Sequence, residues 1–212
     1  VFSYRPSNIE QYKFYGAKKV YLLPPWFVKS LNHPVEMTPK KTEEYKSDIV
    51  FIGHYENDGR INLIKSLVKE GLNISLYGPE WNSVIKKDRI LGKFYPVKYL
   101  YDQEYNYALC GSKMALILYS SLNNDVYTRR CFEIPATKTM MIAKKSKEML
   151  KLFKEDEECI YFDDVDELIE KAKYFIDNNL ERERIASNGY HRAMNSDYDV
   201  IGRAKYVLNK VG

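Results

Sequence analysis

The chain has 212 residues, 45% of them apolar and 29% charged, with a net charge of +4. That composition excludes a disordered chain and suffices for one large domain, or one domain and part of another. Lys and Arg are spread out and answered by acidic runs such as EDEE at 155–158, whereas a nucleic-acid binder needs its basic face in one place, so no nucleic-acid partner is expected.

Cys110, Cys131 and Cys159 are far apart, odd in number and without a CxxC pair. They fit a reduced, cytoplasmic protein and argue against a disulfide framework or a structural zinc. No apolar stretch reaches membrane-spanning length and no signal peptide is visible, so any membrane contact is expected to be peripheral. The sequon NIS at 73–75 falls in a predicted strand and reads as a chance match. Val1 leads at once into structured-looking sequence, as in a piece of a longer protein.

In chain order, NIEQYKFYGAKKVYLLPPW (8–26) predicts a helix, a turn at Gly16 and a strand ending at the proline pair. NHPVEMTPKKTEEYKS (32–47) has the polar, Pro-punctuated composition of a linker. Residues 1–45 are therefore expected to be the end of one unit plus a connector, and 46–212 a complete Rossmann-like domain. DIVFIG (48–53) and MALILY (114–119) are nearly continuous apolar runs, as in parallel strands covered on both faces. NISLYG, TMMIA and CIYF are shorter candidate strands. Between them, RINLIKSLVKEG puts Ile61, Ile64 and Val68 on one helical face with Leu63 and Leu67, and Gly71 is a stop. DVDELIEKAKYFIDNN carries a stripe of Leu168, Ile169, Ala172, Phe175 and Ile176, and Asp164 with Glu167 resembles a capping box. Two more helices are predicted near 181–194 and 199–210. The alternation predicts an α/β fold with a doubly wound parallel sheet.

Such sheets bind ligands beyond the carboxyl ends of their strands, near the switch in strand order. After DIVFIG come Gly53 and His54, then Asp58, Gly59 and Arg60 opening a helix. The glycines allow close backbone approach, His54 can bond a phosphate or sugar, and Arg60 can grip a phosphate. The loop matches neither a GxGxxG fingerprint nor a P-loop, and an ordinary turn with a solvated Arg fits it equally well. In YGPEW (77–81), Gly78-Pro79 makes a turn, and Tyr77 and Trp81 offer faces for a base or pack on the sheet edge. His33 and His191 receive no role, and no metal-ligand spacing is present. The third loop, NNDVYTRRCFEIPATKTMMIA (123–143), sets Arg129 and Arg130 between Asp125 and Glu133. If 128–136 is helical, Arg129 and Glu133 share a face, either as a plain ion pair or as a carboxylate for ribose hydroxyls with an Arg for diphosphate. Pro135 would kink that helix or delay its start.

DIVFIGHYENDGR, YGPEW, SKMALIL, NNDVYTRRCFEIPA and RERIASNGYHRA, in that order, resemble the group 1 glycosyltransferase-like family typified by spore-maturation proteins. FEIPA is similar to that family's R-x-F-E-I-P-A signature, and the likeness covers essentially the whole chain. It implies the C-terminal, donor-binding half of a GT-B enzyme, with a nucleotide-sugar donor, an unknown glycan, protein or lipid-linked acceptor, and no metal or other cofactor. It also implies that Asp125 and Glu133 correspond to a Glu-x7-Glu pair, with Glu133 on the donor ribose and Asp125, shorter by one methylene, near the sugar. Arg60 would hold the diphosphate, supported by Thr128 and Arg129, and Asp125 and Arg60 would be the catalytic pair. The 212 residues alone are expected to bind nucleotide and transfer sugar poorly or not at all. The alternatives are a non-catalytic interaction or surface-layer module of the same fold, and a Rossmann-like domain for another nucleotide, against which the absent glycine fingerprint weighs.

Overall fold

The computed structural model describes residues 1–212. In chain order the elements are β1 (Phe2–Ser3), α1 (Ile9–Phe14), β2 (Tyr21–Leu22), α2 (Pro39–Tyr45), β3 (Ser47–Ile52), α3 (Arg60–Lys69), β4 (Ile74–Tyr77), α4 (Trp81–Ile85) and α5 (Gln103–Cys110). There follow β5 (Ser112–Ile117), α6 (Arg130–Ala136), β6 (Met140–Lys144), α7 (Met149–Leu152), β7 (Ile160–Phe162), α8 (Val165–Asp177), α9 (Asn179–Asn195) and α10 (Val200–Val211). Strands β3 to β7 form one sheet in the order β4-β3-β5-β6-β7, every pair parallel. β1 and β2 pair separately, also in parallel.

The apolar runs become central strands because each strand feeds two cores. Ile49, Phe51, Met114, Leu116, Met140, Ile142 and Ile160 face one layer, with Ile64 and Leu67 of α3 and Leu168, Ala172 and Phe175 of α8. Val50, Ala115, Ile117, Met141, Ala143 and Tyr161 face the other, with Ala108 and Leu109 of α5 and Phe132 and Ile134 of α6. Alternate side chains of a strand point to opposite faces, so two covered faces leave no polar position in the run.

Helix starts follow local chemistry. Asp164 accepts from the Glu167 amide at 2.9 Å to cap α8. Glu167 reaches back to the amide of Asp163, one residue short of the reciprocal capping-box partner. Asp199 caps α10 through the Gly202 amide at 2.7 Å. α6 starts at Arg130, two residues later than 128, and includes Pro135, and Thr137 closes the last turn onto the Ile134 carbonyl.

The segment with linker composition includes a helix. Thr38 caps α2 through the Lys41 amide at 3.3 Å, Pro39 starts it, and Tyr45 is buried against the sheet domain. The first 22 residues form the helix, Gly16 turn and strand that the sequence predicts. They are tied to the chain's last helix, where Phe2 packs edge-on to Tyr206, and just beyond them the Pro25 carbonyl accepts from Arg203 at 3.2 Å.

Candidate functional site

The strand order reverses between β3 and β5. A cleft of about 600 Å³ opens there, beyond the carboxyl ends of the strands, lined by Asp58, Gly59 and Arg60 from one side and by Ser120, Asp125, Lys145 and Ser146 from the other. A recess of about 150 Å³ shares Arg60, Ser120 and Asp125 with it and adds His54, Glu56, Thr128 and Arg130.

Arg60, the first residue of α3, is almost fully buried. Its guanidinium donates from Nε and Nη2 to the two Asp58 carboxylate oxygens at 2.7 and 2.6 Å, and from Nη1 to the His54 carbonyl at 2.6 Å. Glu56, also buried, lies 3.3 Å away and accepts from His54 Nε2 at 2.5 Å. Burial pushes the Asp58 carboxyl up, but its bonds to Arg60 outweigh this and hold it below the ordinary range. Arg60 thus stands in the cleft wall with most of its donors engaged by the protein.

Asp125 also has an internal partner. Arg5 of the N-terminal segment donates to its Oδ1 at 2.6 Å, and Oδ2 is left for another donor. Beside it, Tyr4 and Tyr127 exchange reciprocal bonds between hydroxyl and carbonyl at 3.0 and 2.7 Å.

Glu133 opens onto a different space, a cavity of about 390 Å³ lined also by Asn32, Leu100, Asp102, Tyr105 and Arg129. The i,i+4 pair forms, Arg129 Nε to Glu133 Oε1 at 2.7 Å, and Tyr105 donates to Oε2 at 2.9 Å. Burial, and then the charge of Glu133, push the Tyr105 hydroxyl well above its usual range, so it stays a donor. Each carboxylate oxygen keeps further lone pairs for ligand hydroxyls.

Residues 128–133 therefore divide two cavities. Thr128 and Arg130 face the recess, and Arg129 and Glu133 face the second cavity. Arg130 is half-buried and, unlike Arg60 and Arg129, carries no ion pair with the protein. Its guanidinium lies against Gly53, where a Cβ would stand 3.4 Å from it.

Gly53, Tyr77, Gly78 and Pro79 line neither cavity. They lock two loops together: the Gly53 amide donates to the Tyr77 carbonyl at 2.9 Å, and the Tyr55 amide to that of Pro79 at 3.0 Å. Trp81 is wholly buried between Phe51 and Tyr55 and donates to the Gly53 carbonyl at 2.7 Å. It packs and leaves no face for a base. From sequence Arg130 is named with Arg129 but given no role of its own, and Tyr105 and Arg5 are not singled out. Arg130 heads the RCFEIPA stretch, and the i,i+4 rule that assigns Arg129 to Glu133 already leaves it over. Tyr105 and Arg5 lie 28 and 120 residues from their partners, with no local signal.

An open parallel sheet with a charged cleft at its switch point is a Rossmann-like nucleotide-binding architecture. A family model described as glycosyl transferase-like matches residues 60–209, and the chain belongs to that family. HepE from Anabaena, solved in complex with UDP-glucose, superposes with a TM-score of 0.75 at 14% identity, covering 100% of this chain and 63% of HepE. A glycosyltransferase from Rickettsia africae gives 0.72 at 13%, over 96% and 60% of the two chains. The C-terminal domain of LpcC, a group 1 family glycosyl transferase from Francisella tularensis, gives 0.60 at 14%, over 82% and 98%. The fold is that of the Rossmann-like domain of GT-B glycosyltransferases. The chain spans 63% of HepE and 60% of the Rickettsia protein, under two thirds of either. Among curated proteins nothing matches. No helix is long and apolar enough to cross a membrane.

Proposed function

We propose that residues 46–212 hold the nucleoside diphosphate of a sugar-nucleotide donor, and that the whole protein transfers the sugar to a glycan, protein or lipid-linked acceptor. The observation that carries this is the ridge at 128–133, which offers a carboxylate to one cavity and an unpaired guanidinium to the other. A carboxylate accepts two vicinal hydroxyls, and a free guanidinium in a recess is a ready partner for phosphate oxygens. Glu133 would take the ribose, with Tyr105 and Arg129 fixing its rotamer. Arg130 would take the diphosphate, with Thr128 and His54 beside it. Arg60 supports the wall through Asp58 and the His54 carbonyl, and Asp125 offers Oδ2 to a sugar hydroxyl. The negative charge that develops on the departing diphosphate would be met by cationic side chains, with no metal required, and catalysis is positioning plus stabilisation of that charge. UDP is the first nucleotide to test, because HepE shares the fold and was solved with UDP-glucose. Residues 1–45 would close an acceptor-side domain and connect it. Three unpaired cysteines, two of them buried, suit a cytoplasmic setting.

The test is calorimetric titration with UDP, GDP, dTDP and NAD on the native chain, Arg130→Ala and Glu133→Ala. Each variant should lose a charge-assisted partner worth about 1.5–3 kcal/mol, roughly ten- to a hundredfold in affinity for one nucleoside diphosphate. Unchanged affinity in both variants would overturn the assignment. A second reading, a non-catalytic module that keeps the fold, is favoured by the internal partners already held by Arg60 and Asp125. Failure of every nucleotide to bind would decide for it.

A further inference from the structure

One surface stretch combines basic and aromatic side chains. Residues 86–101, KKDRILGKFYPVKYLY, hold five basic side chains and one acidic one, a local net charge of +4. Lys86, Lys87, Arg89, Lys93 and Lys98 are all exposed. The one acid, Asp88, turns inward: it accepts from the amides of Ile90 and Leu91 at 3.0 and 2.9 Å and pairs with Lys65 at 2.5 Å. Three tyrosines of the same stretch face solvent, Tyr95 at 42%, Tyr99 at 51% and Tyr101 at 69% exposure. The Lys86 ammonium lies 5.4 Å from the Tyr95 ring centre, and the Tyr99 and Tyr101 rings stack at 6.5 Å.

This is a fixed surface. Leu91 and Val97 are buried in the core, Asn82 bonds both the amide and the carbonyl of Val97, and the Gly78 amide donates to the Lys98 carbonyl at 3.0 Å. Leu100 of the segment and Asp102 just beyond it line the cavity of Glu133.

We propose that residues 86–101 form a docking surface for an anionic lipid bilayer. Lysines on long stems suit a diffuse layer of headgroup phosphates, and tyrosine, with an apolar body and a polar tip, suits the boundary between headgroups and acyl chains. Nucleic acid fits less well. Four of the five cations are lysines, which lack the planar fork that reads base edges, and the stacked Tyr99–Tyr101 pair covers one face of each ring. A chain docked this way holds its second cavity beside the membrane surface. The inference stands apart from the nucleotide assignment, since none of its cations or tyrosines lines either cavity.

The experiment is co-sedimentation of the full chain with vesicles of phosphatidylcholine alone, and of phosphatidylcholine mixed with phosphatidylglycerol. Binding should require the anionic lipid and fall as ionic strength rises to about 1 M, where the screening length is ~3 Å. The double variant Lys87→Gln, Lys93→Gln should bind about twenty- to thirtyfold more weakly, roughly fivefold per lysine removed near the surface. Tyr99→Ser with Tyr101→Ser should weaken the part of the binding that salt leaves in place. Equal pelleting with neutral vesicles, none with anionic ones, or indifference to the lysine substitutions would overturn the proposal. So would tighter binding of a single-stranded oligonucleotide that anionic vesicles fail to displace. The salt titration of the native chain decides even if a variant misfolds.

Discussion

Arg60, Arg129 and Arg130 are the same side chain in three situations, and their partners separate their roles. Arg60 is buried and donates two bonds to Asp58, Arg129 leans on Glu133 from solvent, and Arg130 is half-buried and free of ion pairs. Glycines of the strand-end loops divide in the same way. Gly78 has φ +126°, and a Cβ there would stand 2.3 Å from the Gly53 carbonyl oxygen. Gly59 has φ +90° with open space around it. Gly78→Ala should therefore cost about 2–4 kcal/mol, left-handed strain plus a backbone clash, and Gly59→Ala about 1–2 kcal/mol from strain alone. Urea unfolding of the two variants checks the order. Equal losses would mean that the Gly53–Gly78 approach relaxes freely.

At the scale of elements, the turn at Leu91–Phe94 depends on Asp88. The Leu91 amide, and then Lys65, draw its carboxyl down to about 2. A depressed carboxylate stabilises the fold above its unfolded pKa, and that contribution fades as pH falls through the ordinary carboxylate range toward about 2. Asp88→Ala should cost about 1 kcal/mol at neutral pH, with the half-buried Lys65 partner adding a smaller share. The difference from the native chain should vanish in acid, as thermal melts across pH would show. The sheet itself was legible: strands with both faces covered are continuously apolar, and the predicted cores of α3 and α8 are those observed. The region from 81 to 111 was not. Its helices α4 and α5 are short, and its lysines and tyrosines carry no clear period. The site was half legible, because the i,i+4 geometry of Arg129 and Glu133 is local, whereas Arg5–Asp125 and Tyr105–Glu133 are set only by the fold.

Across the whole molecule, residues 1–22 are held to the sheet domain by few contacts that matter. Tyr4 and Tyr127 bond each other's backbone, and Arg5 satisfies Asp125, whose side chain is only 10% exposed. Arg5→Ala should leave that carboxylate short of a partner, at a cost of about 1–3 kcal/mol. The loss should be local, with faster amide exchange in β1, α1 and β2 and unchanged protection in β3 to β7, measured by hydrogen exchange. Uniform loss of protection would show instead that the two parts unfold as one unit.

Phe27 is fully buried, and its backbone bonds Tyr198 and Val200 across nearly the whole length of the chain. A ribosome makes Phe27 about 170 residues before Tyr198, so at about 5–20 residues per second its pocket is missing for on the order of ten to thirty seconds. During synthesis the sheet can close strand by strand while the segment around Phe27 waits. That segment needs a chaperone's cover until then, and is among the last to reach its native place.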